Sequence, residues 1–210
     1  MIAKSLVRFL LFLMLPLSSA TWAATASPDA MVQDVTNQVL AILRQDKGIH
    51  SGNRQRAESV IQNTVAPHFD FNRMTSLAVG RAWRQADAGQ QKALTDAFRT
   101  LLVHTYANAL VAYRDQTVSF TPSRRGSTGD EVTVHSQVDQ PGAKPIAIDY
   151  SLAKAQGEWR VFDVAIAGVS LVTNYRTSFA GEVSRGGIDG LIKSLQEKNR
   201  QFQAASPGAA

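Results

Sequence analysis

Apolar positions recur at helical spacing over residues 29–113, and this pattern predicts four helices. Ser27-Pro28-Asp29 is a typical helix start, with a capping serine and a proline in the first turn. Further helices are expected at about residues 53–65, 69–80 and 88–113, separated by segments rich in glycine, proline and polar residues. The stripe of the first helix consists of Val32, Val35, Val39 and Ile42.

The pattern then changes to strict alternation, which predicts an antiparallel sheet of about four strands with one polar face. The strands are expected at about residues 117–121, 132–139, 146–153 and 159–166. The fourth strand differs from the others, because Phe162, Val164 and Ile166 alternate on one face while Trp159 and Val161 alternate on the other. We therefore expect it to be the strand most covered by other elements.

Helical spacing returns after Gly168, where Ser170 can cap a helix. Gly186-Gly187 is expected to stop that helix, and Asp189 to cap a final one. The order of helices, strands and helices favours an α+β fold. We expect one domain over residues 27–203 and a disordered tail over residues 204–210.

The first residues have the pattern of a signal peptide for export. A short segment with Lys4 and Arg8 precedes nine apolar residues and then small residues, which places cleavage after about residue 23 and no later than residue 26. The apolar run is shorter than the roughly 20 residues that span a bilayer. The mature protein is therefore expected in the periplasm.

Composition excludes several classes of function. The chain has no cysteine, so thiol catalysis, thiolate metal sites and disulfides are absent. Its net charge of +5 falls to about +3 once the two signal-peptide cations are removed, and the remaining cations are scattered. Nucleic-acid binding would require a clustered basic stripe, so no nucleic-acid partner is expected.

A search for catalytic patterns finds no complete set of residues, and the protein is not expected to be an enzyme. No nucleophile elbow, phosphate-binding loop or metal-binding helix motif occurs, so no metal and no cofactor is expected. The four histidines are far apart, and His104 and His135 are interpreted as solvated or structural. Asp163 is the one carboxylate within an apolar stretch, where it should be paired or reach water. An internal partner is favoured for it over a perturbed acid in a pocket.

Three segments resemble a known protein family in their residues and not only in their hydrophobic pattern. The stretches GRAWRQADAGQQKALTDAFRTLLVHTYANAL, VFDVAIAGVSLVTNYRTSF and GGIDGLIKSLQEKN are similar, in order and spacing, to the MlaC family of periplasmic phospholipid-binding proteins, once called toluene-tolerance proteins. With the strands between them they cover about residues 65–200. Residues 29–65 agree with the family only in their hydrophobic pattern.

The resemblance implies an NTF2-like fold, in which helices wrap a concave sheet around a deep apolar pocket for phospholipid tails. Arg176 is a candidate for contact with the headgroup phosphate. The expected lining, taken from the apolar side of the strands and the facing helices, is Trp83, Phe98, Leu102, Tyr106, Val132, Val134, Ile146, Ile148, Tyr150, Val164, Ile166, Val169, Val172 and Tyr175.

The resemblance also implies a phospholipid carrier that maintains the lipid asymmetry of the outer membrane. Its partners would be phospholipid, a complex of the lipoprotein MlaA with a porin at the outer membrane, and an ABC complex containing the MCE protein MlaD at the inner membrane. Two alternatives stay open: an exported NTF2-like enzyme that uses Asp163 in an apolar pocket, and an adaptor with a filled core that binds only proteins.

Overall fold

The computed structural model describes residues 26–121 and 130–205, in which helices surround one antiparallel sheet. The predicted signal peptide and residues 206–210 of the predicted tail lie outside these ranges. The elements are α1 (Pro28–Gln45), α2 (Lys47–His50), α3 (Arg54–Val60), α4 (Phe71–Val79), α5 (Ala88–Val111), β1 (Thr117–Thr121), β2 (Glu131–Asp139), β3 (Ile146–Ala155), β4 (Glu158–Ile166), β5 (Val169–Ser170) and α6 (Leu171–Ala204).

Side-chain caps fix the helix starts where the sequence predicts them. Ser27 Oγ accepts from the backbone N–H of Ala30 at 3.2 Å, and Pro28 occupies the first turn of α1. Asp87 and Gln90 form a reciprocal capping box at the start of α5. The helix predicted over residues 53–65 is α3, which continues as a π-helical turn over Ile61–Val65. None of the helices in the described ranges combines the length and apolar character needed to cross a bilayer.

The sheet has strand order β1-β2-β3-β4-β5, and all its neighbours pair antiparallel, which confirms the predicted sheet type. It has one strand more than the four predicted. The extra strand is β5, which has two residues and returns on β4 through a turn where Ala167 and Gly168 have positive φ angles of 50° and 80°. This edge strand is too short to show an alternating pattern in the sequence.

A β-bulge in β4 explains the two apolar faces seen in the sequence of that strand. Leu152 pairs with Val161 and Ser151 pairs with Asp163, so Phe162 is the extra residue. The bulge shifts the alternation by one residue, and Val161 and Val164 therefore lie on the same face. Both belong to one buried cluster on that face, whereas Phe162 packs against a different cluster.

Three apolar clusters form the interior. The sheet cluster lies between α1 and the apolar face of the sheet and is centred on Val134, Leu152 and Val161. The helical cluster joins α4, α5 and α6 and contains the fully buried Phe98. A smaller third cluster joins α2, α3 and the ends of α1 and α5. The predicted helical stripes and the predicted apolar sheet face supply most of these residues.

The chain after β5 forms α6, which contains one backbone break. Gly187 has φ 66° and ψ −164°, a conformation outside the helical region, while the residues around it are helical. The sequence predicts a stop at Gly186-Gly187 and a separate last helix. The structure confirms this break, because two helical segments meet at a kink at Gly187, and Leu191 and Leu195 of the second segment are buried in the helical cluster.

Candidate functional site

An apolar cavity of about 260 Å³ lies between α1 and the apolar face of the sheet. Helix α1 forms one wall, strands β1 to β4 form the opposite wall, and the segment between α3 and α4 closes one side. The lining residues are Met31, Val32, Val35, Thr36, Val39, Leu40, Val65, His68, Phe69, Leu110, Val118, Val138, Ile148, Tyr150 and Val161.

Two residues expected to line a pocket, Ile148 and Tyr150, do line this cavity. Several other expected residues belong to the surrounding sheet cluster without lining the cavity itself. These are Val132, Val134, Val164 and Ile166. Ile146 pairs with Val138 on the same face at the start of β3. The structure therefore brings the strand residues of the prediction together on one wall.

The expected helix residues lie in the helical cluster instead. Trp83, Phe98, Leu102, Tyr106, Val172 and Tyr175 all pack there. The rings of Phe98 and Tyr175 meet edge to face with centroids 4.9 Å apart, and burial raises the pKa of Tyr106 to about 12. The sequence could not separate these residues from a pocket lining, because large apolar side chains serve both purposes equally well.

Two further expected residues lie at the surface. Val169, in the β5 edge strand, is 57% exposed. Arg176 is exposed on α6 with its guanidinium over Gly80, where a Cβ would come within 3.4 Å of its Nε. Neither residue is among those that line the cavity.

The expected lining did not include α1, which contributes the most residues to the cavity wall. Six of its residues face the cavity, among them Val32, Val35 and Val39 of the predicted stripe. Their spacing showed an amphipathic helix but not what it covers. Val118 and Val138 also line the cavity, and their alternation in β1 and β2 was the signal that could have found them.

One hydroxyl cluster interrupts the apolar lining. The Tyr150 hydroxyl is hydrogen-bonded with the Thr36 and Ser136 side chains, and Ser136 Oγ donates to the carbonyl of Ile148 at 3.2 Å. Burial raises the pKa of Tyr150 above its usual value, and these two hydrogen bonds oppose the shift. Because Thr36 lies on α1 and Ser136 on β2, the cluster ties the helix wall to the sheet wall.

His68 is the lining residue whose charge changes nearest neutral pH. Burial lowers its pKa below 6.5, the Arg160 guanidinium lowers it further, and Glu158 acts in the opposite direction. Arg160 itself donates to the carbonyl of Pro67 and pairs with Glu158. At neutral pH the His68 side chain is therefore uncharged, in keeping with the apolar lining.

Asp163 has the internal partners favoured for it from the sequence. Its Oδ1 accepts from the backbone N–H of Val164 at 2.8 Å and of Val172 at 3.1 Å, and its Oδ2 accepts from Ser170 Oγ at 2.5 Å. Ser170 in turn caps α6 by accepting from Thr173 N–H at 3.0 Å. The carboxylate thus stabilises the start of α6, where negative charge is favourable, and Asp163 does not line the cavity.

His104 is a structural residue, buried more deeply than its place on the polar side of the long helix suggests. It is 5% exposed, because α3 packs over it, and its Nδ1 lies 2.7 Å from Glu58 Oε1. His135 pairs with Asp149 at the surface. Within residues 26–121 and 130–205, no group of three or more His, Asp or Glu side chains is arranged to hold a metal ion.

The site is an apolar cavity with a few polar groups, an arrangement that suits an apolar ligand. Comparison with known proteins adds three relatives. A solved phospholipid-binding protein from Ralstonia solanacearum, in complex with a phospholipid, superposes with a TM-score of 0.79 at 37% identity, covering 85% of this chain and 99% of that one. The intermembrane phospholipid transport system binding protein MlaC of Haemophilus influenzae is 22% identical over 88% of each chain.

The toluene tolerance protein ttg2D of Pseudomonas putida is 26% identical over 79% of this chain and 77% of its own. The profile of the MlaC protein family matches residues 33–197, which include most of the cavity walls and of the helical cluster. The match begins at residue 33 within α1, the helix that the sequence pattern related to the family least clearly. The chain belongs to the MlaC family.

Proposed function

We propose that this protein binds phospholipid and carries it between membranes, with the acyl tails in the cavity between α1 and the sheet. The observation that carries the proposal is the apolar cavity in a chain of the MlaC family, together with the phospholipid bound to the Ralstonia solanacearum relative. Residues that line the cavity from both walls, such as Val35, Val118 and Ile148, would contact the tails.

Apolar enclosure is what such a carrier needs. A phospholipid has about 30 tail carbons, and at ~0.8 kcal/mol for each methylene their exposure to water costs roughly 24 kcal/mol. A carrier must offset most of this cost, and non-directional contacts do so while still allowing release. The cavity lining fits this requirement, because Thr36, His68 and Tyr150 are its only polar side chains within the described residues.

The cavity must widen to take whole tails. Its volume of about 260 Å³ lies below the ~300–1,000 Å³ of small-molecule pockets. Helix α1 is the wall best placed to move, since only two of its residues, Val32 and Leu43, are buried. The hydrogen bond between the hydroxyls of Thr36 and Tyr150 would have to break in this movement. Lipid loading would then displace α1 outward from strands β1 to β4.

The setting proposed for this activity is the periplasm, after removal of the predicted signal peptide. The carrier would exchange lipid with a MlaA–porin complex at the outer membrane and with an ABC complex containing MlaD at the inner membrane, and so maintain outer-membrane asymmetry. Family membership supports these partners, as does the intermembrane transport system named for the Haemophilus influenzae relative.

The enzyme alternative gains no support from Asp163, whose oxygens are engaged at the start of α6.

Native mass spectrometry of the exported protein, with lipid identification, tests the proposal. We expect a phospholipid adduct on the wild type. The double variant Val35→Phe, Val118→Phe should weaken loading by more than roughly tenfold, because even two displaced tail methylenes cost ~1.6 kcal/mol. The matched control Gln38→Phe, Thr117→Phe adds the same rings at exposed positions of α1 and β1 and should load normally. Wild-type protein that stays lipid-free after incubation with vesicles would refute the proposal.

A further inference from the structure

Three arginines form a surface patch on the side of the molecule built by the helical cluster. We define the arginine patch as Arg81, Arg84 and Arg176, together with Leu77, which precedes Arg81 by four residues. All three arginines are exposed. None of the four residues lines the cavity, so the lipid pocket does not account for them.

The local backbone directs Arg81 and Arg84 to the same side. Residues Gly80–Gln85 form a 3-10 helix, in which side chains three positions apart eclipse one another. Trp83 packs against the helical cluster, and its carbonyl accepts from Gln91 Nε2 at 3.0 Å. This anchoring holds the segment in place and leaves the two arginines in solvent.

The remaining members come from two other elements. Arg176, on α6, extends its guanidinium over Gly80 at the first position of the 3-10 helix. Gly80 has φ 67°, a backbone conformation that favours glycine, and a Cβ at this position would lie in ordinary van der Waals contact with the guanidinium. Leu77, in the last turn of α4, is 37% exposed, one of two large hydrophobic residues exposed in the described part of the chain.

Acidic side chains are missing from the segments that build the patch. No Asp or Glu occurs over residues 71–86 or over residues 171–181. Among the described residues, the ion pairs of arginine involve Arg54, Arg56, Arg73, Arg160, Arg185 and Arg200 and no member of the patch. Asp87, the nearest acid along the chain, is engaged in the α5 capping box. The positive charge of the patch is therefore available to a partner.

From this arrangement we propose that the arginine patch docks the protein on an anionic phospholipid surface. Cationic side chains beside an exposed aliphatic one suit the interface of an anionic bilayer, where phosphates meet the guanidinium groups and acyl chains meet the leucine. The proposal goes beyond the proposed function, since it concerns surface residues that do not line the cavity.

Sedimentation with vesicles tests this docking, with phosphatidylcholine vesicles compared with vesicles that also contain phosphatidylglycerol. The wild type should favour the anionic vesicles, and its binding should fall from ~0.1 M to ~1 M salt as the Debye length shortens from ~10 to ~3 Å. An arginine near an anionic surface strengthens binding roughly fivefold, so Arg81→Gln, Arg84→Gln should weaken it ~30-fold. Lipid loading of the same variant, followed by native mass spectrometry, should be unchanged, which separates this proposal from the proposed function.

The matched control is Arg185→Gln, Arg200→Gln, which removes the same charge from exposed arginines that pair with Glu182 and Glu197. We expect less than a roughly threefold change for it, because these charges are already compensated. If the two double variants lost vesicle binding equally, net charge alone would explain the effect, and the proposal would be overturned. Binding of the wild type to polyglutamate but not to phosphatidylglycerol vesicles would overturn it in favour of an acidic protein partner.

Discussion

At the scale of single residues, Asp163 shows most clearly what the sequence and the structure each contribute. The sequence marked it as a carboxylate within an apolar stretch, where burial without a partner would be costly. Only the fold supplied the partners, because Val172 and Ser170 reach Asp163 through the return of the chain from β4 over β5 into α6. Its role is therefore to hold the start of a helix.

Replacing Asp163 tests this role. Asp163→Ala removes three accepted hydrogen bonds, two of them from groups at the α6 N-terminus, and we expect the free energy of unfolding to fall by roughly 2–3 kcal/mol. Urea denaturation measures the change. The control Asp34→Ala, at an exposed position of α1, should alter stability by less than ~0.5 kcal/mol. A stable Asp163→Ala variant would contradict the capping role.

At the scale of elements, β4 departs most from its sequence pattern. The bulge at Phe162 moves Val161 and Val164 to one face, so a strand that reads as apolar on both sides supplies one wall of the sheet cluster. In α6, by contrast, the stop predicted at Gly186-Gly187 is confirmed, because the backbone leaves the helical region at Gly187 and divides α6 into two helical segments. The bulge is a local shift of register that alternation cannot reveal before the packing partner is known.

The two adjacent glycines of α6 allow a matched test of the kink. The φ and ψ of Gly187 lie in a region that is essentially restricted to glycine, so Gly187→Ala should lower the free energy of unfolding by roughly 1–3 kcal/mol. Gly186 is helical and has open space around it, so Gly186→Ala should be neutral or stabilise by about 0.5–1 kcal/mol. Thermal unfolding of the two variants measures the difference, and a destabilised Gly186→Ala with an unaffected Gly187→Ala would reverse the assignment.

At the scale of the whole molecule, the chain divides its apolar residues between a helical core and a cavity. Phe98, Tyr175 and Phe179 fill the helical cluster with ring contacts of 4.9–5.5 Å. The cavity is lined mainly by smaller aliphatic side chains of α1 and the sheet. Aromatic rings thus concentrate in the helical cluster, whereas aliphatic side chains form most of the wall of the cavity proposed to hold lipid.

His68, which lines the cavity, makes the stability of the whole molecule depend on pH. Since its pKa is lowered on folding, the native state binds fewer protons than the unfolded chain just below pH 6.5, and the free energy of unfolding contributed by His68 falls as the pH drops through that window. His68→Gln should flatten the dependence of the urea midpoint on pH between about 5 and 7. His50→Gln, at an exposed position, should leave that dependence unchanged, and an equal flattening by both would remove His68 as its source.

The sequence by itself determined the order and type of the long helices and strands, the α+β class and the resemblance to the family. These properties depend on local spacing: Ser27 before Pro28, the alternation of β2 and β3, and the stripe of α5 each act within a few residues. The predicted apolar face of the sheet was correct for the same reason.

Only the tertiary structure decided which apolar surfaces meet each other and which leave a space between them. Trp83, Phe98 and Tyr106 entered the helical cluster, while the α1 stripe with Val35 and Val39 became the wall of the cavity. Burial in a core and burial in a cavity wall remove the same side chains from water, so hydrophobic spacing is the same for both. The distinction comes from the path of the backbone, here the bulge in β4 and the crossing of α1 over the sheet.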